Sequence, residues 1–279
     1  FAGAGVFFSG ASTGDSTFHN NTLYNNGIGF QIQSSHENSN ISKNNASHNS
    51  NFGLWLRGAN NNFVTNNIFH NNSYGISITQ DADSNHIENN TIYSNSNRGI
   101  QIISSTTENN TLINNNLTSN EEGAILHEDS GTGNVVLYNN SFGEILWLGH
   151  NNLTINNDLS FGNNLDISKN NIYFNSTAGV NYNRSANLSF FGLSLKSKVI
   201  PLKDGIPCDD SICSKVNNLD EDYFFNVTSF TNYSVSNESD AVHEGCNTPD
   251  YGGVTWKFSS GECVKSHKIF RMKKESKMR

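Results

Sequence analysis

The chain is poor in several things, and each shortage narrows the answer. Of 279 residues only 3 are Pro, 2 are Met and 4 are Cys, and all four Cys fall after residue 207. No run approaches the roughly eighteen apolar residues that a membrane-spanning helix needs. Asp, Glu, Lys and Arg together make up 15%, with a formal net charge of −8. That balance argues against a broad phosphate-binding surface, and so against nucleic acid as the main partner. The opening residues, FAGAGVFFSG, lack the basic stretch and cleavage site of a secretory signal, and no Met precedes them. We therefore expect an N-terminally truncated piece of a longer chain. What abounds is Asn, with 49, and Ser, with 36. Asn is poor in helix interiors because its amide competes for nearby backbone groups, so an all-helical fold is disfavoured.

The glycines separate a repeat from disordered low complexity. Gly5, Gly29, Gly53, Gly75, Gly99 and Gly123 are 24, 24, 22, 24 and 24 residues apart. Each is followed by an apolar, variable, apolar pattern: Val6/Phe8, Phe30/Ile32, Leu54/Leu56, Ile76/Ile78, Ile100/Ile102 and Ala124/Leu126. Alternation with period two over so short a stretch predicts a strand with one buried face. A second apolar position recurs at Ile41, Val64, Ile87, Leu112 and Val136, and three residues later stand Asn44, Asn67, Asn90, Asn115 and Asn139. A third follows near Ala46, Ile68, Ile92 and Leu117. Three short strands per coil of about 24 residues bury a face only if successive coils stack. The expected fold is all-β: a single-stranded parallel β-helix over 1–145, in which Asn44, Asn67, Asn90, Asn115 and Asn139 form a side-chain ladder at the strand spacing.

The units NNTLYNNGIGFQI, NNIFHNNSYGISI and NNTIYSNSNRGIQI resemble the right-handed parallel β-helix proteins known as NosD-like or carbohydrate-binding and sugar-hydrolase (CASH) repeats, of the pectin-lyase-like fold. The resemblance covers about residues 5–145 and supplies the handedness of the coil. It implies no single activity, because the same coil serves lyases, hydrolases, epimerases, tail spikes, copper-maturation proteins and adhesins.

Beyond Val136 the period breaks, and short apolar alternations predict strands at Leu153–Ile155, Leu159–Phe161, Leu165–Ile167, Ile172–Phe174, Val180–Tyr182, Leu188–Phe190 and Leu193–Leu195. Residues 146–240 thus read as a smaller β-rich cap or sandwich-like module. The stretch from ANLSFFGLSL to Phe230–Ser234 resembles a module that often follows β-helix repeats in microbial, notably archaeal, surface proteins. Residues 241–279 form a Cys-containing segment with a basic tail, KSHKIFRMKKESKMR, read as a solvated terminus or a contact to anionic lipid. Cys208, Cys213, Cys246 and Cys263 suggest two disulfides, with the local pairing Cys208–Cys213 and Cys246–Cys263 among three possible ones, and zinc as the competing reading. Disulfides imply an oxidising compartment: extracellular, cell-surface or periplasmic. Fifteen Asn-x-Ser/Thr triplets permit glycosylation, although this composition yields about nine by chance.

Candidate chemistry is sparse. A lyase acting on uronic-acid chains needs cationic groups at the carboxylate and the C5 proton, and the coils offer Lys43, Arg57 and Arg98. A hydrolase needs two carboxylates roughly 5–10 Å apart, and the pairs available are Asp81 with Asp83, Glu121 with Glu122 and Glu128 with Asp129. All sit at expected corners, where acidic residues commonly form turns. Copper would draw on His48 and His70, which fall at similar places in adjacent coils with Tyr24 one coil earlier; His127 beside Glu128 and Asp129 is a weaker cation candidate, for instance for Ca²⁺. The binding reading uses Gln31, Trp55, Ser77, Gln101 and Ile125, which lie between the apolar pairs and are expected to form one outward column. An indole flanked by amides and a hydroxyl suits a pyranose ring. The sequence therefore points to a non-catalytic secreted or cell-surface protein that binds a polysaccharide or acts as a spacer, with any envelope association supplied by segments outside this sequence. A lyase or hydrolase is the alternative, and a periplasmic copper-delivery protein the third.

Overall fold

In the computed structural model, residues 3–9, 15–34, 36–128, 131–147, 154–178, 184–194, 199–219, 222–237, 255–259 and 262–266 are described. Three parallel sheets wrap one apolar core. The first sheet contains Ala4–Phe8, Ile28–Gln33, Phe52–Arg57, Tyr74–Thr79, Arg98–Ile103 and Gly123–Glu128. The second begins with Thr17–His19, Asn40–Ser42, Phe63–Thr65, His86–Glu88, Thr111–Ile113 and Val135–Asn140. The third contains Thr22–Tyr24, Asn45–Ser47, Ile68–His70, Thr91–Tyr93 and Asn116–Thr118. Equivalent side chains stack inward in columns, such as Phe30, Leu54, Ile76, Ile100 and Ile125, or Ile41, Val64, Ile87, Leu112 and Val136. At the corner entering the first sheet the coils are too close for a side chain. A Cβ on Gly29 would lie 2.4 Å from the Gly53 carbonyl oxygen, and one on Gly75 2.3 Å from Ile92 Cγ2.

Two register expectations need correction. Gly123 lies opposite Arg98, not Gly99, because the last step is one residue longer, so Ala124 takes the glycine place and Ile125 with His127, not Ala124 with Leu126, points inward. In the third sheet Phe69, not Ile68, pairs between Ala46 and Ile92, which leaves Ile68 at the surface.

The abundance of Asn has two structural causes. Corners between strands need a left-handed residue, and Asn tolerates that conformation better than other side chains. Asn20, Asn25, Asn38, Asn61, Asn66, Asn71, Asn89, Asn109 and Asn114 adopt it, with Lys43, His48, Ser84, Ser94 and Ser119 at equivalent corners. The residue after each such corner joins a ladder, except after Asn38, where Ser39 offers only its backbone N–H to Asn62 Oδ1. Three ladders run the length of the coils: Asn62, Asn85, Asn110, Asn134; Asn21, Asn44, Asn67, Asn90, Asn115; and Asn26, Asn49, Asn72, Asn95, Asn120. Asn67 shows how an interior rung is served. Asn67 Oδ1 accepts from the backbone N–H and the Nδ2 of Asn44, both at 2.9 Å, while Asn67 Nδ2 donates to Asn90 Oδ1 at 3.0 Å and to the Ile41 carbonyl at 2.7 Å. Translation by one coil thus satisfies a buried amide, which is costly to bury unpaired.

Asn139 is not a rung. Val135–Asn140 runs straight on where earlier coils turn, so Asn139 faces Asn114, whose Nδ2 donates to its Oδ1 at 2.8 Å. Tyr138 turns inward instead and its hydroxyl donates to the Asn115 carbonyl. From here the second sheet changes character: Gly143–Trp147, Ala186–Phe190, Asp222–Val227 and Cys213–Leu219 extend it antiparallel. The returning chain closes the other two sheets through antiparallel bridges Ile155 to Ile125 and Leu159 to Leu117. A further antiparallel sheet joins Leu165–Ser168, Asn171–Phe174, Asn232–Asn237, Val199–Lys203 and Ile206–Pro207. The expected strands near Leu165, Ile172 and Leu188 match Leu165–Ser168, Asn171–Phe174 and Ala186–Phe190. Around Ile155, Leu159 and Phe161 there are only single bridges, Leu193 lies outside any strand, and Val180–Tyr182 falls outside the described residues. Among the described residues the one helical element is a single turn, Ser176–Ala178.

Candidate functional site

The outer face of the first sheet carries the row expected to bind. Gln31, Trp55, Ser77 and Gln101 do stand in register, but Leu126 follows them and Ile125 faces the core. The row is also not open throughout. Ser77 is 0% exposed and Gln101 6%, and Gln101 Nε2 donates to Ser77 Oγ at 2.7 Å. Trp55 reaches across to the next coil, where its Nε1 donates to Thr79 Oγ1 at 2.9 Å. Ser77 and Gln101 are therefore packed polar groups, not solvent-facing ligands.

Accessible ring surface lies instead at the start of the same strands. The Phe52 ring is 5.3 Å from Trp55 and 5.5 Å from Tyr74, tilted by 35° and 36°. Arg57 places its guanidinium carbon 5.4 Å from the Trp55 ring centroid, and its Nε donates to Gln80 Oε1 at 2.5 Å. All four side chains are part-exposed, and Gln31 and Gln33 of the preceding coil are too. Phe52 and Tyr74 were missed from sequence. Their signal is an aromatic immediately before the corner glycine in two successive coils, Phe52–Gly53 and Tyr74–Gly75.

The weaker candidates do not assemble. Arg57 ends one strand and Arg98 begins another two coils on, a separation of roughly 10 Å across the sheet and more along it. Arg98 instead holds the closing segment, its Nη1 donating to Asn156 Oδ1 at 2.7 Å and its Nε lying 3.8 Å from Glu122 Oε2. Asp83 Oδ1 accepts the Glu108 N–H at 2.7 Å and its own N–H donates to Asn60 Oδ1 at 2.8 Å, so this carboxylate serves a corner, while Asp81 points to solvent at a left-handed turn. Glu121, Glu122 and Glu128 are exposed, and Asp129 lies outside the described residues.

His48 and His70 are not equivalent in register: Ser47 lies opposite His70, and His48 is the corner residue after it. Their rings still touch edge to face at 5.8 Å, within a row in which Tyr24 lies 5.0 Å from His48 and Tyr93 stacks 4.8 Å from His70. Burial first, and then His48, hold the His70 imidazole below its ordinary value. Among the described residues no group of three or more His, Cys, Asp or Glu is placed to hold a metal ion.

Cys208 and Cys213 are joined as a disulfide. Cys246 lies outside the described residues, and Cys263 belongs to the backbone of the hairpin strand Glu262–Ser266. Stacked parallel coils with period-matched corners are the decisive observation, and residues 2–142 match the family described as right handed beta helix region. The chain belongs to the right-handed β-helix family. No curated protein matches it. The disulfide in this β-helix protein favours an oxidising compartment. No described helix is long and apolar enough to cross a membrane.

Proposed function

We propose that this β-helix protein is an extracellular or cell-surface binding module that holds a polysaccharide, without cleaving it, on the outer face of its first sheet around Phe52, Trp55 and Tyr74. The observation that carries the reading is the part-exposed, mutually tilted ring cluster with Arg57 across the indole. Ring faces suit the C–H faces of pyranoses, and Gln31, Gln33, Gln80 and Arg57 supply polar groups for hydroxyls at the margin. The buried polar residues of the coils support the same division of labour. An interior ladder amide such as that of Asn67 is committed to its neighbouring rungs and to the Ile41 carbonyl, not to a ligand.

Affinity electrophoresis through gels cast with neutral and acidic polysaccharides, each then stained for clearing, tests this directly. The wild type is expected to be retarded by at least one polysaccharide without a cleared track. Trp55→Ala is expected to run free while still melting cooperatively, at a stability cost of about 1–2 kcal/mol from lost packing and the Thr79 hydrogen bond. A cleared track, or equal retardation of wild type and Trp55→Ala, contradicts the proposal.

A further inference from the structure

The fold sorts the fifteen Asn-x-Ser/Thr triplets by whether their acceptor amide is available. Several are closed. Asn139 Oδ1 accepts from Asn114, Asn175 Oδ1 accepts from Thr177, Asn71 Nδ2 donates to His70, and the Oδ1 atoms of Asn45, Asn187, Asn226 and Asn232 are buried. Asn152 and Asn183 fall outside the described residues, Asn237 is engaged by a neighbour, and Asn40 and Asn116 are exposed but each begins a strand instead of forming a left-handed corner. Three triplets are arranged differently, and the coil repeat itself arranges them: Asn20-Asn21-Thr22, Asn89-Asn90-Thr91 and Asn109-Asn110-Thr111. In each, the first Asn is the left-handed corner, with φ of 58°, 54° and 56°, the second is a ladder residue, and the Thr begins the next strand. A residue preceding an inward-turning one at such a corner must direct its own side chain outward. Asn20, Asn89 and Asn109 are exposed, and their amides make no hydrogen bond to any described residue.

We propose that Asn20, Asn89 and Asn109 are N-glycosylation sites. In the reaction the Asn Nδ2 forms a bond to the anomeric carbon of a lipid-phosphate-linked oligosaccharide. The carbon–oxygen bond to phosphate breaks, the lipid phosphate leaves with the electron pair, and the amide loses one proton. A membrane oligosaccharyltransferase supplies the base, and only the extracytoplasmic location is shared with the function proposed above. The placement has a consequence for the surface. Asn20 and Asn89 lie three coils apart, about 14 Å, on the corner between the second and third sheets, and Asn109 lies on the corner between the first and second. All three border the second sheet, where the exposed Phe63 packs 5.8 Å from His86. Glycans there shelter that apolar spot and leave the first-sheet face around Trp55 bare.

The test is secretion of the full chain from a eukaryotic host with N-glycosylation. Enzymatic deglycosylation in heavy-oxygen water and peptide mass spectrometry then read each site. Most molecules are expected to carry sugar at Asn20, Asn89 and Asn109 and none at Asn187 or Asn226. The variant Thr22→Ala/Thr91→Ala/Thr111→Ala, which abolishes the three triplets without touching the left-handed corners, is expected to lose the glycan at Asn20, Asn89 and Asn109 and remain folded by circular dichroism. Folded, secreted protein with all three corners empty, or with sugar on Asn187 or Asn226, overturns the proposal. Gel retardation by polysaccharides does not depend on these sites, so the two tests fail separately.

Discussion

The parallel coils and the antiparallel module share a sheet and one continuous core, yet they treat the same residue in opposite ways. In the coils an interior ladder Asn such as Asn67 is bonded to its copies one coil above and below and to the Ile41 carbonyl. In the module Asn187 and Asn226 face each other across paired strands, and both Oδ1 atoms are buried without a partner among the described residues. The module is held by rings instead: Trp147 lies 5.3 Å from Phe174 and 5.5 Å from Phe230, and Phe190 stacks 5.7 Å from Phe225. Translational symmetry therefore lets a ladder of amides do in the coils what packed rings do where the symmetry ends.

Substitutions sharpen this contrast. Asn67→Ala removes the acceptor of two Asn44 donors and the donor to the Ile41 carbonyl, so a loss of about 4 kcal/mol in urea denaturation is expected, from roughly 1–3 kcal/mol per orphaned group. Asn226→Ala, which deletes an unsatisfied oxygen, is expected to change stability by less than about 1 kcal/mol. Trp147→Ala is expected to cost about 3–5 kcal/mol and, because the core is continuous, to lower one shared melting transition. Two separated transitions in calorimetry would show that the regions unfold independently. Cys208→Ala/Cys213→Ala opens a short loop and is expected to cost about 2 kcal/mol.

The smallest effects have opposite pH signs in the two regions. The folded coils hold the His70 proton less readily than the unfolded chain does, so stability is full above the ordinary value of 6.5 and falls as pH drops through it. Glu144, in the module, has its carboxyl raised above 4.5 by burial, against the lowering effect of its hydrogen bond to Asn139. Its contribution is full below 4.5 and is lost as pH rises through the folded value. His70→Asn should flatten the acid limb of melting temperature against pH, and Glu144→Gln should raise the melting temperature at neutral pH. Unchanged profiles would remove both assignments.

Much of the coil was legible because its period is carried by residues with one job. Corner glycines and inward aliphatics announce stacking, and Asn44, Asn67, Asn90 and Asn115 announce a ladder. The other two ladders were hidden, although they sit five residues either side, because their Asn are surrounded by further Asn at the left-handed corners. Inward and corner roles look alike in one letter. The step at Gly123 misled for a related reason: a glycine recurs at the old spacing while the register has moved by one. At the site, alternation placed Trp55 outward correctly but could not show that Ser77 and Gln101 are covered, since exposure depends on what neighbouring coils lay across the sheet. The module was least legible because no repeat constrains it.

The ladder claim is tested most directly by a double-mutant cycle on Asn67→Ala and Asn90→Ala, with Asn187→Ala and Asn226→Ala as the matched pair from the module. A coupling of about 1–3 kcal/mol is expected for the stacked amides, and additivity within about 0.5 kcal/mol for the facing but unbonded pair. Additive losses at Asn67 and Asn90 would contradict it, because buried amides that do not depend on one another are not a ladder.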